Sequence, residues 1–163
     1  MTAQERSQKA MGYFKEGYNC CQSVVMAFDD VVGVEKDLLA TVSAGFGGGF
    51  GRQREVCGCV SGMTLLSGFL SPAADPSVKV NRTDNYALVQ NFCGQFKAEC
   101  GSIVCKELLG LDKPSANVVS TTPMSSAEPS DRTEEYYKKR PCVELVGLAA
   151  RIVADHIEGL SAR

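Results

Sequence analysis

Hydrophobic residues recur every three to four positions along most of the chain, which is the pattern of helices with one buried face. The segment 83–98 shows this clearly, because Tyr86, Val89, Phe92 and Phe96 fall on one side of a helix. No segment shows the alternation of apolar and polar residues that predicts a strand. We therefore predict an all-α fold, with main helices at 3–15, 20–32, 36–44, 57–70, 83–98 and from 141 past 157.

Local signals place several helix ends. Asn19 is a predicted N-cap, and Gln22 three residues later completes a capping box. Ser102 is a candidate N-cap for a short helix that ends at Gly110, and a further short helix is predicted around 131–139. Pro141 suits the first position of the last helix, since proline lacks only a backbone N–H that has no partner there.

Two connections between these helices are unusual. Residues 45–52 form a glycine-rich loop, and residues 112–131 are rich in Pro, Ser, Thr and Asn without any periodicity. A loop as long as the second is either a functional lid or a mobile segment. Because neither connection resembles a linker between domains, we predict a single domain over residues 1–163, a bundle of about six or seven helices.

Composition narrows the function classes. The net charge of −2, with both signs interspersed, predicts no nucleic-acid partner, and no run of Lys and Arg marks a membrane surface. The longest apolar region, 60–70, is too short to span a bilayer, which predicts no membrane insertion. The polar segment 1–12 does not resemble a signal peptide, so we expect a cytoplasmic protein with reduced thiols. A single histidine, His156, excludes a His-rich metal site.

Eight cysteines are unexpected in a reducing compartment. Such a set indicates metal ligation or thiol redox chemistry, although a few of the eight can serve as small buried hydrophobic residues. Four of them stand out, because each lies in the first turn of a different predicted helix. Unpaired backbone N–H groups and the helix dipole favour an anion at that position and lower the pKa of a thiol. The four are Cys20, Cys57, Cys105 and Cys142.

The other four cysteines give weaker signals. Cys59 follows Cys57 by two residues, a spacing that could chelate a metal or form a strained disulfide. Cys21 is next to Cys20 and need not face the same site, and a pair seven residues apart on the predicted long helix could be ordinary core. That pair is Cys93 and Cys100.

Several familiar cofactor signatures are absent from the sequence. No C-x-x-C pair occurs, and no C-x-x-C-H motif is present, so we predict no covalent haem. The glycine-rich loop matches neither the dinucleotide fingerprint nor the P-loop, so we predict no nucleotide. Its glycines Gly47, Gly48 and Gly49 either permit a tight helix connection or let the backbone approach a cluster or an anion.

Four stretches together resemble the C-GCAxxG-C-C family, whose name claims redox activity. They are GFGGGFGRQREVCGCVSG at 45–62, GYNC at 17–20, CKELLG at 105–110, and Pro141-Cys142 with Val146 and Ala149-Ala150. The resemblance covers nearly the whole chain, and the family is often found in anaerobic bacteria and archaea. It implies four characteristic cysteines, which fall on Cys20, Cys57, Cys105 and Cys142, with core glycines at Gly58 and Gly62. Cys59 stands where the family usually has Ala, so it could join the site or replace a small packed residue.

The leading hypothesis is that these thiolates bind an iron–sulfur cluster or a related metal centre, for electron transfer or redox sensing. The ligands would be the four family cysteines, with Cys59 as a candidate fifth. The alternative is a thiol–disulfide oxidoreductase, in which Cys20 or Cys57 attacks and another cysteine resolves. A structural zinc-binding interaction module ranks below both. Whether the protein is an enzyme stays open at this point, as do its redox partner protein and a homodimeric state.

Overall fold

The protein is all-α, as predicted. The computed structural model describes residues 1–112 and 126–161, and one isolated antiparallel bridge, between Val56 and Val104, occurs in those ranges. No helix in the described part of the chain is long and apolar enough to cross a membrane. The helices are α1 (Ala3–Lys15), α2 (Cys20–Met26), α3 (Asp29–Val32), α4 (Lys36–Ser43), α5 (Gly47–Phe50), α6 (Gly58–Leu70), α7 (Lys79–Cys100), α8 (Cys105–Leu108), α9 (Glu134–Lys139) and α10 (Cys142–Ser161), with a 3₁₀ turn at Ala44–Phe46.

The helix predicted at 20–32 is broken into α2 and α3, so that prediction was wrong in its middle. Phe28 has non-helical backbone angles, φ −117° and ψ 18°. The buried side chain of Arg6, in α1, stabilises this break. Its guanidinium donates a 2.5 Å hydrogen bond to the Ala27 carbonyl and forms an ion pair with Asp30. A partner distant in the sequence thus satisfies a carbonyl that a continuous helix would have used internally.

Other boundaries differ by smaller amounts. The helix predicted at 83–98 extends over Lys79–Cys100 and ends at Gly101, whose φ of +91° is left-handed. The N-cap of α8 is Val104 and not Ser102, whose hydroxyl instead accepts a hydrogen bond from the Val104 N–H at 3.0 Å. The last helix begins at Cys142, one residue after Pro141. Within the predicted Pro/Ser-rich loop, residues 113–125 lie outside the described residues.

The core is formed where the long helices pack together. Helix α1 lies along α10, α2 packs between α4 and α6, and α6 also contacts α7. Helices α2, α6 and α10 contact one another, which brings three of the four predicted cysteine-bearing helix starts into one region. The largest fully buried side chains include Phe14, Phe28, Phe92, Phe96, Met26 and Met63.

The close packing of α6 on α2 depends on Gly62. A Cβ atom at this position would lie 2.9 Å from the Val24 Cβ and 3.3 Å from the Cys21 carbonyl oxygen. We expect Gly62→Ala to push the helices apart and to lower the free energy of unfolding by about 1–3 kcal/mol, measured by urea denaturation. Gly68→Ala on the same helix is the matched control, because nothing lies within 4 Å of its Cβ, and alanine there should stabilise by up to about 1 kcal/mol. Equal effects of the two substitutions would contradict this packing.

Candidate functional site

The four cysteines selected from the sequence all lie at helix starts, as predicted. Cys20 is the first residue of α2, and Cys142 is the first residue of α10. Cys105 opens α8, while Cys57 is the N-cap of α6. Cys57, Cys105 and Cys142 are buried, and Cys20 is partly exposed. Cys20 is therefore the least buried residue of this set.

Backbone hydrogen bonds hold Cys57 and Cys105 side by side. The Cys57 N–H donates to the Ile103 carbonyl at 2.8 Å, and the Cys105 N–H donates to the Glu55 carbonyl at 2.6 Å. These bonds flank the bridge between Val56 and Val104. Two cysteines separated by 47 intervening positions in the sequence thus occupy neighbouring backbone segments.

The glycines allow the backbone to approach these cysteines closely. A Cβ at Gly58 would lie 3.0 Å from the Cys20 Cβ, and a Cβ at Gly49 would lie 2.8 Å from the Cys105 Cβ. A Cβ at Gly47 would meet the Asn19 side chain at 2.5 Å, and both Gly48 and Gly49 have left-handed φ angles of +66° and +73°. These contacts support the interpretation of the loop as a tight connection that packs protein against protein.

Four thiols form a chain of close contacts. The Cys142 thiol and the Cys59 thiol both hydrogen-bond to the Cys20 sulfur, and Cys59 also lies within hydrogen-bonding reach of Cys57. These contacts join Cys142 to Cys20, Cys20 to Cys59 and Cys59 to Cys57, and we call these four residues the thiol chain. Cys59, which the sequence indicated only as a fifth candidate, lies in the middle of this thiol chain and is fully buried. Cys105 lies beside the thiol chain, and its sulfur accepts a hydrogen bond from the Arg54 Nη1 at 3.9 Å.

The surroundings of Cys20 favour its thiolate. Hydrogen bonds from the Cys142 and Cys59 thiols lower the pKa of Cys20 well below its ordinary value, and they outweigh the opposing effect of burial. The positive charge of Arg132 lowers the pKa further. Cys20 thus combines partial exposure with the character of a nucleophile.

The expectation that all four helix starts lower the thiol pKa was wrong for two of them. Burial raises the pKa of Cys105 to about 11, with Arg54 acting in the opposite direction. The pKa of Cys142 is raised well above its ordinary value, first by its hydrogen bond to Cys20 and then by burial. In a buried site, the start of a helix stabilises a thiolate too little to offset the loss of solvation and the repulsion of a neighbouring negative sulfur. Cys20 therefore differs from Cys105 and Cys142, because its pKa is lowered while theirs are raised.

A pocket of about 380 Å³ opens onto this site. Cys20, Cys105 and Cys142 lie in its walls, together with the Tyr136 ring. Burial raises the pKa of Tyr136 to about 12, so the phenol is neutral at physiological pH. Four arginines are the basic side chains of the wall among the residues that the structure describes, and we call them the arginine set: Arg52, Arg54, Arg132 and Arg140.

A comparison with protein families identifies the class of protein that carries this site. The model of the family described as "Putative redox-active protein (C_GCAxxG_C_C)" matches residues 18–156. The chain belongs to this C-GCAxxG-C-C family. No curated protein and no solved structure matches the chain.

The matched range contains the whole site of this C-GCAxxG-C-C protein. All eight cysteines and every residue that lines the pocket fall between positions 18 and 156. Helix α1 precedes the match and contributes to the site from outside, since the Phe14 carbonyl accepts a hydrogen bond from Arg132 at 3.4 Å. The family is described as redox-active, and the thiol chain is a feature of this structure that could carry out redox chemistry.

The arrangement of thiols was also tested as a metal site. Among residues 1–112 and 126–161, no group of three or more His, Cys, Asp or Glu side chains is placed so that it could hold a metal ion. As they stand, the cysteines of this C-GCAxxG-C-C protein do not fit a bound metal ion. The iron–sulfur cluster predicted from the sequence stays a prediction.

The remaining cysteines lie outside the thiol chain. Cys21 is fully buried in the core of the C-GCAxxG-C-C protein, where burial raises its pKa. Cys93 is partly buried on α7, and the Cys100 thiol donates to the Phe96 carbonyl at 3.0 Å. These three act as packing residues in the structure.

The arginine set was missed by the sequence analysis. Periodicity gives no signal for it, because its members lie in loops or just outside helices. Adjacency to the cysteine motifs is the signal that was available: Arg52 ends the glycine-rich loop, Arg54 lies two residues after it, and Arg140 precedes Pro141-Cys142. Arg132 has no such marker.

Proposed function

We propose that this protein is a thiol–disulfide oxidoreductase in which Cys20 is the attacking thiolate and Cys142 is the resolving thiol. The observation that carries the proposal is that Cys20 and Cys142 lie together in the wall of one open pocket, where the Cys142 thiol lowers the pKa of Cys20. Contact between the sulfurs is the geometry needed for a disulfide to form between them. The partial exposure of Cys20, its lowered pKa and the raised pKa of Cys142 support these two roles.

In the first step the Cys20 thiolate attacks one sulfur of a substrate disulfide. The substrate S–S bond breaks, a new bond joins the Cys20 sulfur to the attacked sulfur, and the other half of the substrate leaves as a thiolate with the electron pair. Arg132 holds negative charge at Cys20 before the attack. The product of this step is a mixed disulfide.

The second step uses the change in charge that the first step produces. The pKa of Cys142 is raised mainly by its hydrogen bond to Cys20, and that cause disappears when Cys20 becomes a mixed disulfide. Cys142 then loses its proton to the departing thiolate more readily and attacks the Cys20 sulfur. The second half of the substrate leaves as a thiolate, so one substrate disulfide becomes two thiols and the protein gains one disulfide. A dithiol reductant would restore the starting state by the reverse exchange.

The pH dependence of alkylation tests the identity of the nucleophile. The lowered pKa of Cys20 predicts that iodoacetamide labels this residue first, with a rate that rises with pH and reaches half its plateau below about 8.5, the ordinary thiol pKa. The protonated fraction grows as the pH falls through the Cys20 pKa, so labelling slows there. Mass spectrometry of peptides from briefly labelled native protein measures this. Preferential labelling of Cys105 at neutral pH would contradict the assignment.

A second candidate function is the iron–sulfur centre predicted from the sequence. The donor set favours it, since among the described residues of the pocket wall the His, Cys, Asp and Glu positions are all cysteines. Iron analysis of the Cys105→Ser variant separates the two candidates. A cluster held by the four family cysteines would lose iron, whereas the thiol mechanism leaves Cys20–Cys142 disulfide formation intact because Cys105 is outside the thiol chain.

The proposed chemistry requires a compartment that keeps the thiols reduced between turnovers. The cytoplasm predicted from the sequence supplies such an environment. It would also contain the dithiol reductant, a protein or a small molecule, which is the redox partner in this proposal.

A further inference from the structure

The pocket in front of Cys20 is strongly cationic. The arginine set supplies four guanidinium groups, and none of the described residues that line the pocket is Asp or Glu. The chain as a whole has a net charge of −2, so this concentration of positive charge is a local feature and not a result of composition. The Cys20 thiolate interacts with the Arg132 charge, but one anion does not balance four guanidinium groups, and the like charges that remain repel one another unless a further anion enters.

Arg54 gives the sharpest evidence for a missing anionic partner. Its side chain is 4% exposed, and its Nε is buried without a hydrogen-bond partner. It makes no ion pair with a described carboxylate, and its Nη1 contacts the Cys105 sulfur at 3.9 Å. Burying a guanidinium without a counter-ion costs several kcal/mol. A buried guanidinium that is kept despite this cost indicates a ligand that pairs with it.

The backbone fixes Arg54 in this position. Its N–H donates to the Gly48 carbonyl at 3.2 Å, and its carbonyl accepts from the Lys106 N–H at 3.1 Å. The segment is thus held between the glycine-rich loop and the start of α8, and the guanidinium points into the pocket from a rigid base.

Two other members of the arginine set are positioned by contacts with aromatic rings and backbone carbonyls. The Arg132 guanidinium donates to the Phe14 and Tyr18 carbonyls at 3.4 Å and 3.2 Å and lies 4.2 Å from the centroid of the Phe14 ring. The Arg140 guanidinium lies 4.6 Å from the centroid of the Tyr136 ring. The charges are close enough to interact, since burial and then the charges of Arg54 and Arg140 lower the pKa of Arg52, against weaker attraction to Tyr136 and Glu128.

We infer that the arginine set binds carboxylate groups of a small-molecule disulfide and delivers its sulfur–sulfur bond to Cys20. This inference rests on the proposed function and names its substrate class. A cavity of about 380 Å³ is within the range of small-molecule sites and exceeds what a single inorganic oxyanion needs. Guanidinium groups match carboxylates in geometry and charge. The exchange chemistry is the one given above, with one disulfide entering and two thiols leaving.

Binding is measured apart from reaction, so that failure of the substrate class and failure of the chemistry can be told apart. The Cys20→Ser variant, which lacks the attacking sulfur, is titrated calorimetrically with three disulfides of similar length: dithiodipropionate, a dianion; hydroxyethyl disulfide, which is neutral; and cystamine, a dication. We expect the dianion to bind at least about tenfold more tightly than the neutral compound, and the dication to bind weakest.

Arg54→Gln in the Cys20→Ser background should weaken dianion binding by about tenfold to a hundredfold, while Arg151→Gln, an exposed site on α10 outside the pocket, should leave it unchanged. Arg140→Gln serves as a second pocket variant, and thermal unfolding checks that each variant is folded. Equal affinity for the three disulfides, or dianion binding unaffected in both pocket variants, would overturn the inference. If the dianion binds as expected but Cys20 of the wild-type protein does not react with it, the substrate class stands and the proposed chemistry fails.

Discussion

Replacing Cys142 by serine should stop the reaction at the mixed disulfide on Cys20. With dithiodipropionate, the wild-type protein should release two thiols per protein and gain an internal disulfide, because Cys142 contacts the Cys20 sulfur and resolves the intermediate. Cys142→Ser should release one thiol and keep the other half of the substrate bound covalently. Intact-mass spectrometry under non-reducing conditions shows the added half directly.

The matching substitution at the attacking position should remove the reaction altogether. Cys20→Ser should lower the rate of thiol release by at least about a thousandfold, since the other cysteines of the site are buried and the raised pKa values of Cys105 and Cys142 keep those two protonated at neutral pH. Cys59→Ala is the control, because it removes a thiol that contacts Cys20 from the buried side and introduces the residue usual for the family. We expect it to slow the first step through a higher Cys20 pKa and to leave two-thiol stoichiometry intact. Two thiols released from Cys142→Ser would show that a different cysteine resolves.

Phe14→Ala should cause the largest loss of stability, about 3–5 kcal/mol in the free energy of unfolding. Phe14 is 0% exposed in the contact between α1 and the rest of the core. Its ring packs edge-on to Tyr137 at 6.2 Å and carries the Arg132 guanidinium on its face. The substitution should therefore leave a cavity and also release a residue that stabilises the Cys20 thiolate.

Urea unfolding followed by circular dichroism measures the first effect, and the pH midpoint of Cys20 alkylation measures the second. We expect that midpoint to rise, because the Arg132 charge that lowers the Cys20 pKa would be held less firmly. Phe69→Ala is the matched control, since Phe69 is 47% exposed on α6 and its loss should cost less than about 1 kcal/mol. Similar losses for the two phenylalanines would contradict the assignment of Phe14 to the core.

Local signals in the sequence predicted the parts of the fold that local chemistry decides. The bounds of α1 and the capping box of Asn19 and Gln22 were confirmed, because the interactions that set them join residues three or four positions apart. The break at Phe28 was missed because it depends on Arg6, which lies 21 positions before the Ala27 carbonyl that it binds. No pattern within the segment 20–32 contains that information.

The features of the site divide in the same way, into those that one segment determines and those that depend on contacts between segments. The helix starts at Cys20, Cys57, Cys105 and Cys142 could be predicted from spacing and resemblance, because each depends on its own segment. Their protonation could not, since burial and sulfur–sulfur contact arise only when four separate segments meet. Arg132 illustrates the limit most plainly: it follows the Pro/Ser-rich segment without any motif, yet its charge and its contacts join α1 to the thiol site.

The central claim is that the thiols of this site exchange with disulfides, and disulfide mapping of anaerobically purified native protein tests it most directly. The protein is analysed for iron and sulfide, treated with one equivalent of dithiodipropionate, alkylated, and digested for mass spectrometry without reduction. We predict protein free of stoichiometric iron and a single new disulfide between Cys20 and Cys142. Protein that carries stoichiometric iron and sulfide, with Cys20 protected from both disulfide formation and alkylation, would contradict the account.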